Sequence, residues 1–168
     1  MATSPISGSE LEDLKLMAQN HFWPHAKPAG DMSEETGLKT ITSGKGVWLY
    51  DEKEQPWYDT TSCLWLVNLG HGRTEIAQAA YEQMKQVSFT PMGAVSSPTA
   101  KLSAKIASVA PDKDSRVFFV SGGAEANETA VKMARKYHIN NGEAARFKVI
   151  SRRNSYHGAT YATMSLGG

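Results

Sequence analysis

The stretch Arg116–His138, RVFFVSGGAEANETAVKMARKYH, decides how this chain folds. It begins with a short run of β-branched and aromatic residues, Val117–Val120, which predicts a β-strand. A helix is predicted from about Ala124 to Asn140, followed by a second strand at Phe147–Ser151. The order strand, helix, strand defines a βαβ unit with parallel pairing and a right-handed crossover, and therefore predicts an α/β fold.

Gly122 and Gly123 join the first predicted strand to the helix. At the carboxyl end of a parallel strand, the N–H groups of such a turn point into the crevice where open α/β sheets bind ligands. The helix dipole attracts an anion there, and the missing Cβ atoms allow it to approach the main chain closely. The turn therefore predicts a phosphate site. The alternative is that the glycine pair serves only the backbone geometry of the turn.

Two common phosphate motifs do not account for this turn. The dinucleotide fingerprint GxGxxG fails here, and it fails at residues 70–75, GHGRTE, where Glu75 occupies the third glycine position. A P-loop fails because Gly46 follows Lys45 in place of serine or threonine, and Lys39 stands where the first glycine belongs.

Upstream of this unit, the sequence predicts a β-hairpin and three helices. Residues 46–62, GVWLYDEKEQPWYDTTS, place apolar residues on both sides of a polar turn, as a hairpin does. Apolar residues recur at intervals of three and four over Ile76–Val87, which predicts an amphipathic helix. Residues 97–111, SPTAKLSAKIASVAP, predict another helix, and Leu11–Ala18 a short one.

Downstream, residues 151–168, SRRNSYHGATYATMSLGG, add an aromatic residue and a second tight turn just past the second predicted strand. Because the carboxyl ends of parallel strands gather at one edge, Tyr156 is expected to reach the crevice and to stack on a flat ring. The alternative for Tyr156 alone is a half-buried surface tyrosine. No two histidines stand at a zinc-binding spacing, so no metal site is expected.

Composition limits the classes of partner. Eighteen Lys and Arg against seventeen Asp and Glu give a net charge of +1, without the basic excess that nucleic-acid binding requires. No apolar run is long enough to cross a bilayer, and the N-terminal residues lack the pattern of a signal peptide. The single cysteine, Cys63, cannot form an intrachain disulfide. A cytoplasmic protein that binds neither nucleic acid nor membrane is expected.

Three motifs, in this order, resemble those of the class III pyridoxal-phosphate-dependent aminotransferases. They are SCLWLVNLGHGRTEIAQAA at residues 62–80, SGGAEANETAVKMAR at 121–135 and SYHGAT at 155–160. The resemblance runs from about Trp48 to the end, and LWLVNLGHGR is similar to the ω-amino-acid and amine:pyruvate transaminases. It implies the N-terminal part of a fold type I pyridoxal-phosphate-dependent transferase, which has a three-layer α/β/α major domain.

The resemblance also implies a domain organisation. Residues 1–60 match an N-terminal segment of the small domain, with a helix, an irregular segment and a β-hairpin. Residues 61–168 match the first part of the pyridoxal-phosphate-binding major domain, truncated at its C-terminus.

By the same resemblance, Gly122, Gly123 and Ala124 hold the phosphate of pyridoxal 5'-phosphate, and Tyr156 stacks on its pyridine ring. Trp65 matches a residue that lines the substrate pocket. Many members of the family have serine where this chain has Ala124, so a hydroxyl bond to the phosphate is absent here. Glu128 matches a glutamate of the family pattern that is usually structural.

The function implied is transfer of an amino group from an amine or ω-amino acid to a keto acid such as pyruvate, in a homodimer or higher homo-oligomer. The lysine that forms a Schiff base with the cofactor is expected beyond Gly168. No catalytic residue is therefore assigned within the chain, which is expected to be inactive alone. The amine donor remains open, as does a related aminomutase or decarboxylase activity. Two alternatives are a non-catalytic α/β module that binds a phosphate ligand and an inactive truncated fragment.

Overall fold

The computed structural model describes residues 6–25 and 39–167. The chain divides into two compact units, Met1–Phe89 and Thr90–Gly168. The predicted domain boundary between residues 60 and 61 falls inside the first unit and stays a prediction. Part of the predicted irregular segment, residues 26–31, lies outside the described residues.

The first unit contains helix α1, Gly8–His21, and a three-stranded antiparallel sheet. The strands are β1, Ile41–Lys45, β2, Trp48–Asp51, and β3, Pro56–Tyr58, in the order β1-β2-β3. The predicted hairpin is confirmed as β2 and β3, whereas β1 was not predicted. After β3, Ser62–Trp65 form a single left-handed turn, α2. Helix α3, Thr74–Gln86, follows this turn.

Asp51 determines the turn of the predicted hairpin. Its side chain is buried, and its Oδ1 accepts the backbone N–H groups of Lys53 and Gln55, both at 2.9 Å. Its Oδ2 accepts the indole N–H of Trp57 at 2.9 Å. These three hydrogen bonds lower the pKa of Asp51, the indole contributing most. A buried carboxylate with three donors closes the turn and fixes the register of β2 against β3.

The second unit contains helices α4, Ser97–Val109, α5, Gly123–Asn140, and α6, Tyr161–Leu166. Helix α4 begins where the sequence predicts, since the Ser96 hydroxyl accepts the N–H of Thr99 and a proline occupies the first turn. Helix α5 likewise runs over the predicted range. The sequence did not predict α6.

The two strands of the predicted βαβ unit are not formed within residues 90–167. Neither Val117–Val120 nor Phe147–Ser151 is assigned as a strand, and the two segments do not pair with each other. A strand requires a hydrogen-bonded neighbour, and the described residues of this unit provide none. Helix α5 still lies between these two segments in the order that a βαβ unit requires.

No large apolar side chain is buried among the described residues. The apolar faces predicted for α3 and α4 are present in the sequence, but Ile76, Met84, Leu102 and Val109 are all exposed. Within residues 6–25 and 39–167, no helix combines the length and apolar character needed to span a membrane.

Candidate functional site

The glycine pair lies at the start of α5, as the sequence predicts. Gly122 is the N-cap residue, in an extended conformation with φ −169° and ψ 172°, and no side chain caps the helix. The N–H of Ala126 donates to the Gly122 carbonyl at 3.0 Å. Among the described residues, no acceptor faces the backbone N–H of Gly123 or Ala124. These groups are available to an external anion.

The backbone does not require glycine at either position. Gly122 is extended and Gly123 is helical, so neither has the positive φ that favours glycine. A Cβ added to either residue would meet no described atom within 4 Å. Among the described residues, the geometry of the turn alone therefore does not require the pair. What the two glycines provide is open space beside free N–H groups.

One acidic side chain lies at the same helix end. The Glu125 Oε2 accepts the backbone N–H of Ser121 at 2.7 Å. This bond turns the carboxylate toward the residue before the glycine pair, and it leaves the N–H groups of Gly123 and Ala124 unoccupied.

The loop that carries Tyr156 is fixed to the first two turns of α5. Asn127 donates its side-chain N–H to the His157 carbonyl at 2.7 Å. Glu128 Oε1 accepts the Thr160 hydroxyl at 2.7 Å and the Ala162 backbone N–H at 2.9 Å. These bonds join residues separated by at least thirty positions in the sequence, so they define the loop position.

Gly158 allows this loop to approach α5. Its φ of +132° is one that side-chain-bearing residues rarely adopt, and an added Cβ would lie 2.6 Å from the Ala124 Cβ. The same atom would lie 2.7 Å from the Oγ1 of Thr163, a fully buried residue. Glycine is thus required here by the fold, in contrast to Gly122 and Gly123. Ala124, predicted as a phosphate residue, has its methyl group against this loop.

Tyr156 lies two residues before Gly158, and its side chain is 75% exposed. The structure therefore brings the loop of Tyr156 onto the helix whose first turn contains the glycine pair, and leaves the ring open for stacking. The stacking role of Tyr156 stays a prediction. Asn127 and Gly158 were not predicted to fix the loop, although both lie inside the quoted motifs.

Glu128 is held as a carboxylate by the contacts that fix the loop. The Thr160 hydroxyl lowers the pKa of Glu128 most, and the Ala162 and Thr163 backbone N–H groups and the Lys132 ammonium lower it further. Desolvation opposes them. Glu128 therefore acts on the loop and is not directed at a ligand by any described contact, which agrees with a structural role.

Trp65, in the first unit, ends the left-handed turn α2. Its φ is +68° and its side chain is 71% exposed, which leaves the indole free to contact a ligand. Asp59 stabilises the turn, because its Oδ1 accepts the N–H groups of Thr61 at 3.2 Å and Cys63 at 3.0 Å. Its Oδ2 lies 3.0 Å from Nε2 of His71.

An open cavity of about 710 Å³ follows directly on from this turn. It is lined by residues 66–74 together with Ile76 and Ala77. The Arg73 guanidinium lies in the lining, but it is paired with the Glu75 carboxylate and donates to the Leu69 carbonyl at 3.0 Å. Glu75 raises the pKa of Arg73. Arg73 is thus paired with groups of this chain, and its guanidinium is not free to bind a substrate carboxylate.

The glycine pair and Tyr156 in the second unit and Trp65 in the first are the residues that the motifs assign to an aminotransferase site, and their roles stay predictions. The family described as aminotransferase class-III matches residues 30–168, and the chain belongs to this family. The recognition made from the three motifs is confirmed.

The chain is similar to several named aminotransferases. It is 36% identical to the putrescine–pyruvate aminotransferase of Pseudomonas aeruginosa, over 98% of this chain and 36% of that protein. It is 37% identical to the omega-amino acid–pyruvate aminotransferase of Pseudomonas putida, over 96% of this chain and 35% of that protein. The chain thus spans about a third of the length of these relatives.

Solved structures confirm the fold class. An (S)-enantioselective omega-transaminase from Thermomicrobium roseum superposes with a TM-score of 0.87 at 37% identity, over 94% of this chain and 35% of that one. A Bacillus anthracis aminotransferase superposes with a TM-score of 0.88 at 34% identity, over 96% of this chain and 35% of that one. The chain therefore has the fold of the corresponding third of these enzymes, although the parallel strands predicted from the sequence are not formed in the second unit.

Proposed function

We propose that the protein carrying this chain is an aminotransferase that uses pyridoxal 5'-phosphate. It moves an amino group from an amine or ω-amino acid to a keto acid such as pyruvate. Family membership and the printed activities of the relatives support this proposal. We further propose a homodimer, as the family resemblance implies, and a cytoplasmic location, in keeping with a single cysteine.

One observation carries the proposal for the cofactor. Gly122 and Gly123 are glycines that the backbone does not need, at a helix start with free N–H groups and open space around both Cα atoms. A phosphate fits this arrangement, because N–H donors and the helix dipole stabilise an anion while a side chain would occupy its place. The residues present therefore fit the phosphate of the proposed cofactor.

In this proposal, the residues of the chain bind and orient the cofactor and the amine donor. Gly122, Gly123 and Ala124 hold the phosphate through main-chain N–H groups, and Tyr156 covers the pyridine ring. Trp65 limits the size of one substituent of the amine donor. Pyridoxal phosphate supplies the carbonyl carbon that accepts the amine and the ring that takes up its electrons. Fixing the cofactor at both ends lowers the entropic cost of aligning it with the donor.

The test replaces Gly123 with valine in the full-length protein. The added Cβ would meet no described atom within 4 Å, and the methyl groups of valine would occupy the proposed phosphate position, so the fold should survive while cofactor affinity falls. We expect the Kd for pyridoxal phosphate to rise by about tenfold or more, equivalent to about 1.4 kcal/mol. Fluorescence titration of the apoenzyme measures it, and unfolding midpoints show whether the fold is kept.

Gly8→Val is the matched control. Gly8 is also the first residue of a helix, and its added Cβ would likewise meet nothing within 4 Å. It should leave cofactor affinity unchanged. Equal affinity in wild type and Gly123→Val would reject the phosphate site.

The same preparations separate the alternatives. A protein that binds pyridoxal phosphate but transfers no amino group from a panel of amines to pyruvate would be the non-catalytic module. The 168 residues expressed alone test the second alternative, because a product that neither folds nor binds pyridoxal phosphate would be the inactive fragment.

A further inference from the structure

Asp59, Cys63 and His71 form a cluster in the first unit that the proposed function does not use. The His71 Nε2 lies 3.0 Å from Asp59 Oδ2 and 4.0 Å from Cys63 Sγ. One carboxylate oxygen, the sulfur and the ring nitrogen all lie within 4.8 Å of one another. Carboxylate, thiolate and imidazole are the three side-chain ligand types that zinc takes in proteins.

The backbone fixes each of the three side chains. Asp59 is held by the two N–H groups its Oδ1 accepts, and Cys63 lies in the left-handed turn α2. His71 exchanges two backbone hydrogen bonds with Gly46, of 3.0 and 2.8 Å. The absence of a side chain at Gly44 makes room for it, because an added Cβ there would lie 2.8 Å from the His71 Cβ. The cluster is therefore preorganised, which lowers the cost of binding an ion.

A nucleophilic thiol does not explain this arrangement. In a Cys-His-Asp triad the base uses one ring nitrogen for the thiol and the other for the carboxylate. Here both Cys63 and Asp59 face the same atom, Nε2.

The spacing suits a small tetrahedral ion. Zn–S of about 2.3 Å and Zn–N and Zn–O of about 2.0 Å place sulfur about 3.5 Å from nitrogen, and nitrogen about 3.3 Å from oxygen. The observed sulfur–nitrogen and nitrogen–oxygen distances, 4.0 and 3.0 Å, each differ from these by half an ångström or less, and the sulfur and the carboxylate oxygen lie within 4.8 Å of each other. Small side-chain rotations would therefore complete three ligand positions and leave a fourth for water.

We propose that Asp59, Cys63 and His71 form a binding site for a thiophilic divalent cation of the zinc type. Two anionic ligands neutralise the ion. On binding, the thiol proton of Cys63 is released to solvent and the imidazole proton resides on Nδ1, so that Nε2 presents its lone pair. Asp59 Oδ1 accepts the N–H groups of Thr61 and Cys63, which leaves Oδ2 to face the ion. The ion would cross-link the turn that carries Trp65 to the loop at His71.

Cobalt(II) is the probe, because its tetrahedral complexes absorb in the visible and a thiolate ligand adds a near-ultraviolet charge-transfer band. We expect a saturable difference spectrum with both features when Co²⁺ is added to the full-length holoenzyme and the metal-free spectrum is subtracted. Added Zn²⁺ should abolish it by competition, and it should raise the unfolding midpoint by mass action.

Cys63→Ser should remove the charge-transfer band and weaken binding by roughly tenfold or more, since even loss of an outer-shell partner costs about that much. Circular dichroism shows whether this near-isosteric variant folds. His138→Gln is the control, because His138 belongs to another histidine–carboxylate pair, 2.7 Å from Glu143. It should leave the spectrum unchanged.

A thiolate band that persists in Cys63→Ser, or no saturable spectrum in the folded wild type, would overturn the metal site. Neither result depends on amino transfer, so the metal site can be rejected while the proposed function is retained, and the proposed function can be rejected while the metal site is retained.

Discussion

At the scale of single residues, the least expected feature is the left-handed turn α2. Ser62, Cys63, Leu64 and Trp65 have φ values of 50°, 47°, 60° and 68°. Each such residue costs about 1–2 kcal/mol relative to the right-handed form. The carboxylate of Asp59 holds the turn by accepting N–H groups, and strain of this kind concentrates at functional sites. No glycine or asparagine marks these positions, so local sequence rules could not predict the turn.

Tyr156 gives the residue-scale prediction. Replacing Tyr156 with alanine in the full-length protein removes an exposed ring from a loop that Asn127 and Glu128 continue to fix. Loss of stacking should cost about 1 kcal/mol, or roughly fivefold in the Kd for pyridoxal phosphate, with little change in the unfolding midpoint. Equilibrium dialysis of the cofactor measures this.

The control is another exposed tyrosine nearby. Tyr161→Ala removes a ring that is 88% exposed, five positions further along the chain. It should retain wild-type affinity. If the two variants lose affinity equally, or Tyr156→Ala loses none, Tyr156 does not stack on the cofactor.

At the scale of elements, helix α5 combines two tasks. Its first turn presents the N–H groups next to the glycine pair, and its second turn holds the Tyr156 loop and the start of α6 through Asn127 and Glu128. The phosphate position and the stacking loop are therefore fixed on one rigid element. Side chains on adjacent turns of a helix keep their relative positions, which preorganises the site.

The Glu128 contacts predict how stability depends on pH. Because the Thr160 hydroxyl and backbone N–H groups lower the pKa of Glu128 below its ordinary 4.5, the ionised group stabilises the folded state. This stabilisation is fully present above pH 4.5 and is lost as the pH falls through the lower folded-state pKa. Glu128→Gln should therefore be less stable than wild type at pH 7, and the difference should shrink below pH 4.5.

Unfolding midpoints of the full-length protein between pH 7 and pH 3 measure this difference. Glu82→Gln, on an exposed part of α3, is the control and should follow the wild-type curve. A Glu128→Gln difference that stays constant down to pH 3 would show that the charge of Glu128 does not hold the loop.

The elements differ in how well the sequence predicts them. Apolar periodicity and capping residues are local signals, and they placed α3, α4 and α5 within a few residues of their observed ends. The hairpin of β2 and β3 was also predicted from a local signal, the apolar residues on both sides of a polar turn. Strand β1, ITSGK, lacks an alternating apolar pattern, and it forms because it pairs with β2. The strands expected at Val117–Val120 and Phe147–Ser151 do not form, because they lack a hydrogen-bonded neighbour within residues 39–167.

At the scale of the whole molecule, the described residues have amphipathic helices without a core. The large apolar side chains of α3 and α4 are exposed. The relatives are about three times as long as this chain. Periodicity predicts which face of a helix is apolar, but it does not identify the segment that covers that face. The roles of Gly122, Gly123, Ala124, Tyr156 and Trp65 therefore remain predictions to be tested in the full-length protein.

The last prediction concerns covalent capture of the cofactor by the 168-residue chain alone. Lys132 and Lys136 lie roughly 14 and 20 Å along α5 from Gly123, at 1.5 Å per residue, too far to reach a cofactor whose phosphate is at the helix start. None of the twelve lysines stands in a sequence context that matches the Schiff-base lysine of the family. Borohydride reduction with pyridoxal phosphate, followed by peptide mass mapping, should therefore find no single lysine modified stoichiometrically. The full-length protein, treated identically, should show one. A unique stoichiometric adduct on any of the twelve lysines of the chain would place the covalent anchor within these residues.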